Sequence, residues 1–395
     1  MDVRSLLGRS YGLFASDIAA NDGAIDAALA NRRVLIVGGA GSIGREVTAE
    51  IFRRRPAALH VVDISENTLV ELVRKVRSSD GYSDGDLRFL PLDIASVEAR
   101  AFLAGQPAYD FVLNFAAMKH VRSEKDEFSL MRMIKVNVLD TLETLNFATR
   151  GDAYKYFAVS TDKAQNPANL MGATKRIMED VIFGGAIPVS TARFANVAFS
   201  DGSLLHGFLQ RMQLRQPISA PSDIRRYFVT GQEAGRLCLA SIALGTNREI
   251  FFPRFDPDAD LLTFADIAVR LLEANGYTPV PVDSEDEARG RAAELIAARR
   301  WPCFFFASDT SGEKPFEEFY GPADSIDWNR FTDLGVIRRE APDAAVIARA
   351  NYFLATVGDL RSRGAWTNAE LTTAIKIACP ELDHIDTCRT LDNRM

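Results

Sequence analysis

Cysteine and histidine are both scarce in the 395-residue chain, at four each. Cys238, Cys303, Cys379 and Cys388 are scattered with no Cys-x-x-Cys spacing, which argues against a disulfide framework or a thiolate zinc site. They read as reduced thiols in a cytoplasmic protein. His60, His120, His206 and His384 form no metal-ligand spacing, so no metal is expected. No apolar run approaches the roughly 18–20 residues of a membrane span. Asp2, Arg4, Arg9 and Asp17 break up the first segment, against a secretory signal. An excess of basic residues is also missing: 46 Lys+Arg stand against 53 Asp+Glu, a formal charge of −7. That balance disfavours non-specific binding to nucleic acid or an anionic membrane. Internal repeats and low-complexity stretches are absent too. What is present is an ordinary globular composition, 47% hydrophobic and 25% charged, with 26 glycines.

From residue 33 onward, short apolar runs alternate with helical spacing. Strands are expected at 33–37, 60–64, 87–92, 111–116, 156–160 and 189–194, with helices near 43–54, 66–78, 97–103, 130–149 and 172–183. Such alternation implies an α/β fold, a Rossmann-type doubly wound parallel sheet with right-handed crossovers. After Asn196 the rhythm weakens into short strands (218–220, 227–230, 249–252, 303–306) among helices (233–244, 263–275, 285–299), as in a smaller lobe over the sheet's carboxyl edge. The expected division is a helical lead-in over 1–30, a dinucleotide-binding domain over 31–200 with returns from later segments, a substrate lobe over 201–335 and a helical extension over 336–395. The lead-in is expected to serve packing or oligomer contact.

The turn after the first strand reads Gly38-Gly39-Ala40-Gly41-Ser42-Ile43-Gly44. Glycines at 38, 41 and 44 follow an apolar strand and open a helix, the context a pyrophosphate cradle requires: a tight turn, close backbone approach, and helix amides aimed at the anion. Asp63 ends the second strand, where a carboxylate accepts the ribose hydroxyls of adenosine and repels a 2′-phosphate. Ile64 and Ser65 follow it with no arginine, so NAD is expected over NADP. Asp93 and Ile94, past the third strand, are candidates beside the adenine. Small residues Ala116 and Ala117 end the fourth strand and leave room for the cofactor.

A second motif runs Ser160-Thr161-Asp162-Lys163-Ala164-Gln165-Asn166-Pro167, then Met171-Gly172-Ala173-Thr174-Lys175-Arg176. With Asn114-Phe-Ala-Ala-Met-Lys-His-Val121, Arg193-Phe-Ala-Asn196, Arg226-Tyr-Phe228 and Ser311-Gly-Glu-Lys314, it resembles the nucleotide-sugar 4,6-dehydratases of the polysaccharide-biosynthesis, CapD-like group of extended short-chain dehydrogenase/reductases. The likeness covers most of residues 5–335. Its best-known members act on UDP-N-acetylglucosamine. The resemblance implies a redox-neutral cycle with tightly held NAD: oxidation at carbon 4, loss of the carbon 5 proton and the 6-hydroxyl, and reduction at carbon 6. It also implies dimers or larger homo-oligomers.

On that resemblance Asp162 is the acid, Lys163 the base, and Thr161 their neighbour. Lys175 holds the nicotinamide ribose, and Met171 stands where relatives usually carry the proton-accepting Tyr, a departure shared by one subgroup. Asp162 must then hold its proton and Lys163 must give one up, against their ordinary states. Asp162 is also the candidate acceptor of the 4-hydroxyl proton, directly or through Thr161 or a water. Asn137 is a candidate for ordering a water beside the cofactor, with helix packing as its alternative. Lys119 faces either the sugar or solvent. Asn196 and Arg226 match positions near the nucleotide diphosphate, and Glu313 and Lys314 match a nucleotide-contacting segment. Asp201 departs from the basic residue relatives often carry. A 4-epimerase on the same scaffold and a non-catalytic NAD-binding regulator are the alternative functions.

Overall fold

The computed structural model describes residues 2–82, 84–308 and 316–384. Six strands build the parallel sheet foreseen from the sequence: β1 (Arg33–Val37), β2 (Ala58–Asp63), β3 (Asp86–Pro91), β4 (Phe111–Asn114), β5 (Lys155–Val159) and β6 (Val189–Ala192). They lie in the order β3-β2-β1-β4-β5-β6, the doubly wound order of a dinucleotide fold. Each face of β1 feeds a separate core. Val34 and Ile36 join the cluster holding Val47, Phe52 and Phe157, while Leu35 and Val37 join the one holding Tyr156, Met178 and Phe252. A fully apolar strand is what burial on both faces demands.

Beyond β6 the same sheet continues with Glu249–Pro253, parallel, then Leu334–Arg338 and Ser325–Asp327, antiparallel, making nine strands. The chain past residue 200 therefore contributes three strands to the large sheet. Part of that stretch forms a lobe. Its three-stranded parallel sheet, in the order Thr278–Val282, Arg300–Phe306, Ile218–Pro221, packs helices around the buried Trp301 and Phe208. A third small sheet joins Leu261–Thr263, Arg225–Val229 and Asn196–Val197.

One expected helix and three expected strands need correction. The single helix over 130–149 is an α-helix Glu127–Ile134, a π-helical turn Lys135–Leu139 and an α-helix Asp140–Arg150. The strands expected to reach 116, 160 and 194 stop at Asn114, Val159 and Ala192, so the motifs that follow them lie in loops at the carboxyl edge. The lead-in bridges both bodies: Leu6 and Leu7 enter the lobe core, and Phe14, Ile25 and Leu29 enter the sheet core. At the other end, helices Ala344–Arg363 and Asn368–Ala378 pack as a hairpin on helix Leu170–Phe183.

Candidate active site

The glycine turn closes over the carboxyl end of β1, where the strand order reverses between β1 and β4, the place where such sheets take ligands. Gly38 has φ +72°, and a Cβ there would lie 2.5 Å from Ala116 N; at Gly44 it would lie 2.3 Å from Gly38 O. Packing alone enforces both. Gly41 differs, because a Cβ would meet nothing nearer than Gly38 O at 3.5 Å. The space it leaves faces away from the protein's own atoms, as a close-approaching ligand requires. Ile43 is the N-cap of helix Gly44–Arg53.

Asp63 stands at the end of β2, accepting the Ala40 and Ser65 amides, each at 3.0 Å. Its carboxylate thus borders the glycine turn, and neighbouring Ile64 is 68% exposed. Asp93 accepts Ala95 N–H at 3.0 Å and lies 3.7 Å from Lys135 Nζ, while Ile94 is buried beside it. Ala116 N–H is held by Asn114 Oδ1 at 3.0 Å, and Ala117 is exposed on the same edge. From the opposite wall Asp201 accepts the Ser42 hydroxyl at 2.9 Å and pairs with Arg45. The residue that departs from the family pattern therefore latches onto the glycine turn itself.

Asp162 and Lys163 occupy a one-turn 3-10 helix, Asp162–Ala164, immediately after β5. Thr161 caps that turn and donates to Asp162 Oδ1 at 2.8 Å; Lys163 Nζ reaches both carboxylate oxygens at 3.3 Å. Asp162 is buried and Lys163 half-buried. Helix Leu170–Phe183 seals the turn from one side. Gly172 permits this contact, since a Cβ there would lie 2.3 Å from Lys163 O. Met171 and Lys175 are both buried on this helix, and Lys175 Nζ donates to Val159 O at 3.1 Å. Burial pushes the Lys175 amine down to about 8, with the charge of Glu179 opposing.

Asn137, the candidate for ordering a water or for helix packing, makes packing contacts. It is fully buried; its Oδ1 accepts Met118 N–H at 2.9 Å, and its Nδ2 donates to Met118 O and Thr174 Oγ1, both at 3.0 Å. The carboxamide braces the loop after β4 against helix Leu170–Phe183. The π-helical turn that carries it gives a long helix room for this inward-facing amide. Lys119 Nζ donates to Ser200 Oγ at 3.2 Å.

Asn196 and Arg226 do come together, on a residue the motif reading passed over. Glu317 accepts Asn196 Nδ2 at 2.6 Å and Tyr227 N–H at 3.1 Å, and lies 3.5 Å from Arg226 Nε. Its carboxyl is pushed up to about 7, first by burial and then by the negative charge of Asp162, with Arg226 and Lys163 opposing. Glu313 and Lys314 lie outside the described residues. A second unforeseen group is Arg193. Fully buried, it pairs with Glu179 at 2.5 Å and donates to Gln165 Oε1 at 3.0 Å and Phe319 O at 2.8 Å. Ser160 completes this network by donating to Glu179 at 2.6 Å. The sequence signal was a charged residue inside the strand expected over 189–194, which burial tolerates only with a partner.

A family model described as polysaccharide biosynthesis protein matches residues 34–294. The capsular polysaccharide biosynthesis protein CapD of Staphylococcus aureus is 29% identical over 281 residues, 69% of this chain and 45% of CapD. The chain thus spans less than half the length of that relative. An inverting UDP-N-acetylglucosamine 4,6-dehydratase of Campylobacter jejuni is 27% identical over 234 residues, 56% of this chain and 67% of the enzyme. Among solved structures, a dTDP-glucose 4,6-dehydratase from Streptomyces venezuelae with NAD bound matches at a TM-score of 0.55 and 18% identity. That match covers 85% of this chain and 98% of the other, a likeness of fold. With its sheet order, its glycine turn and a family match over residues 34–294, the chain belongs to the polysaccharide biosynthesis protein family.

Proposed function

We propose that the chain is an NAD-dependent nucleotide-sugar 4,6-dehydratase acting on UDP-N-acetylglucosamine, giving the 4-keto-6-deoxy sugar nucleotide. The observation that carries this reading is the Thr161-Asp162-Lys163 turn, held by Gly172 against the helix bearing Lys175 at the carboxyl edge of the sheet. The residues at that edge fit NAD: the open side of Gly41, the helix that begins at Gly44, the Asp63 carboxylate for the ribose, and the exposed Ile64 for an adenine face. Bound there, NAD supplies reversible hydride acceptance at sugar carbon 4 and its return at carbon 6.

The chain's own groups do the rest. Lys175 holds the nicotinamide ribose from within the fold. Asp162 takes the 4-hydroxyl proton, through Thr161 where the hydroxyl bridges them. The 4-ketone acidifies carbon 5, Lys163 removes that proton, Asp162 delivers its own to the departing 6-hydroxyl, and Lys163 returns its proton to carbon 5 once carbon 6 is reduced. The 3.3 Å contact between the two side chains keeps acid and base together, and the return of the carbon 5 proton leaves both as they began. Asn196 and Arg226 bind the diphosphate, with Arg226 supplying a planar fork. Each proton transfer is worth about 10²–10⁴-fold.

Incubation with UDP-N-acetylglucosamine, followed by product mass and alkaline 4-ketone absorbance, tests the reading. Loss of one water supports it. Unchanged mass with an epimer makes the chain a 4-epimerase, and no turnover on any nucleotide sugar makes it a regulator. Asp162→Asn is expected to abolish substrate-dependent NADH formation; survival of that half-reaction would remove Asp162 from the first step.

A further inference from the structure

The family match ends at residue 294, and the C-terminal hairpin lies beyond it. Yet the hairpin packs on the helices that border the candidate site, with Phe353, Leu371 and Ile375 sharing a core with Leu130, Leu170 and Ile177. Apolar contact alone would leave its position along those helices loosely set. The polar contacts fix it, and they end on the two segments flanking the site. Trp366 Nε1 donates to Glu127 O at 3.0 Å, Asn368 Nδ2 to Glu124 O at 2.9 Å, and Asp383 N–H to Pro167 O at 3.0 Å.

Glu124 joins these contacts to the site. Its side chain is 9% exposed, its Oε1 accepts the Met171 N–H at 2.7 Å, and its Oε2 lies 3.7 Å from His384 Nε2. Met171 is one helical turn before Lys175, so the bond anchors the end of the helix that faces the Asp162-Lys163 turn. Asn137 ties Met118 to Thr174 on the same helix, so loop and helix start are bound together twice.

We propose that the C-terminal hairpin is a clasp for the active site and that Glu124 is the positioning residue through which its hold reaches Met171 and Lys175. A carboxylate suits this role because it takes an amide of the helix's first turn, where negative charge is favoured. The catalytic consequence rests on the dehydratase reading; the mechanical one does not.

The test compares the full-length chain with the double variant Trp366→Phe/Asn368→Ala, which keeps the ring packing and removes two clasp bonds. Amide hydrogen exchange over residues 166–175 is expected to speed up about tenfold while β1 stays unchanged. On UDP-N-acetylglucosamine, kcat is expected to fall about tenfold with KM within about twofold, since misplacement of a reacting group acts on the chemical step. Glu124→Ala should reproduce both effects, and Glu124→Gln, which keeps an acceptor for Met171 N–H, should restore them. Unchanged exchange over 166–175 overturns the clasp, as does a loss of thermal stability with kcat intact. Faster exchange in a chain that turns over no nucleotide sugar leaves the clasp standing and removes the dehydratase reading instead.

Discussion

Glu317 sits where the fold can least ignore its charge, beside Arg226 and within the field of Asp162. Its carboxyl is raised from the ordinary 4.5 to about 7, so between those values the folded chain binds more protons than the unfolded one. Stability from this group is therefore present at low pH and lost as pH rises from about 4.5 to 7. Glu317→Gln removes the titration. The melting temperature of the native chain relative to this variant is expected to fall steadily across that window; a constant difference would show that Glu317 keeps its ordinary pKa. Residue-level legibility followed local pattern. The glycines, Asp63, Asp162, Lys163 and Lys175 were readable because strand, turn and helix lie together in sequence. Glu317 was not, because its partners Asn196 and Tyr227 lie 121 and 90 residues away and no local spacing announces them.

Between the Asp162–Ala164 turn and helix Leu170–Phe183 the contact is backbone against glycine, with no side chain to yield. A methyl group at position 172 must displace either the turn or the helix. Gly172→Ala is expected to cost about 1–3 kcal/mol through overpacking and to lower turnover more than stability alone explains. Denaturant midpoint and kcat, measured on the same preparation, decide this; near-native values of both would mean the two elements slide freely. The sequence showed that these elements exist but misplaced their limits. Asn169 caps the helix by accepting Gly172 N–H at 2.8 Å, which starts it at Leu170, two residues before the expected 172. The π-helical turn at 135–139 was invisible, because Lys-Val-Asn-Val-Leu has ordinary helical spacing and only the inward bonds of Asn137 open the turn.

Across the whole molecule, the lead-in joins the sheet core to the lobe core, as the strand Arg225–Val229 also does through Val229 and Phe228. Phe14 is fully buried in the sheet core, and Leu6 and Leu7 are buried in the lobe core. Arg9, between them in sequence, forms a buried pair with Glu233 at 2.9 Å. Phe14→Ala is expected to cost about 3–5 kcal/mol and lower the melting temperature by several degrees. A change within about 0.5 kcal/mol would mean the segment is peripheral. The doubly wound class was legible because six strands alternate with helices in strict sequence. The sites where later strands return to the sheet were not, since a five-residue apolar run such as Glu249–Pro253 fits either sheet equally well.

Arg193 sets a further consequence for selectivity. One rigid guanidinium links helix Leu170–Phe183 through Glu179, the segment after the Asp-Lys turn through Gln165, and the Glu317 segment through Phe319. On the dehydratase reading proposed above, this buried network is a ruler that sets the spacing of three segments beside the Asp162-Lys163 turn. On the proposed reading, a change of substrate therefore falls to residues outside this buried network.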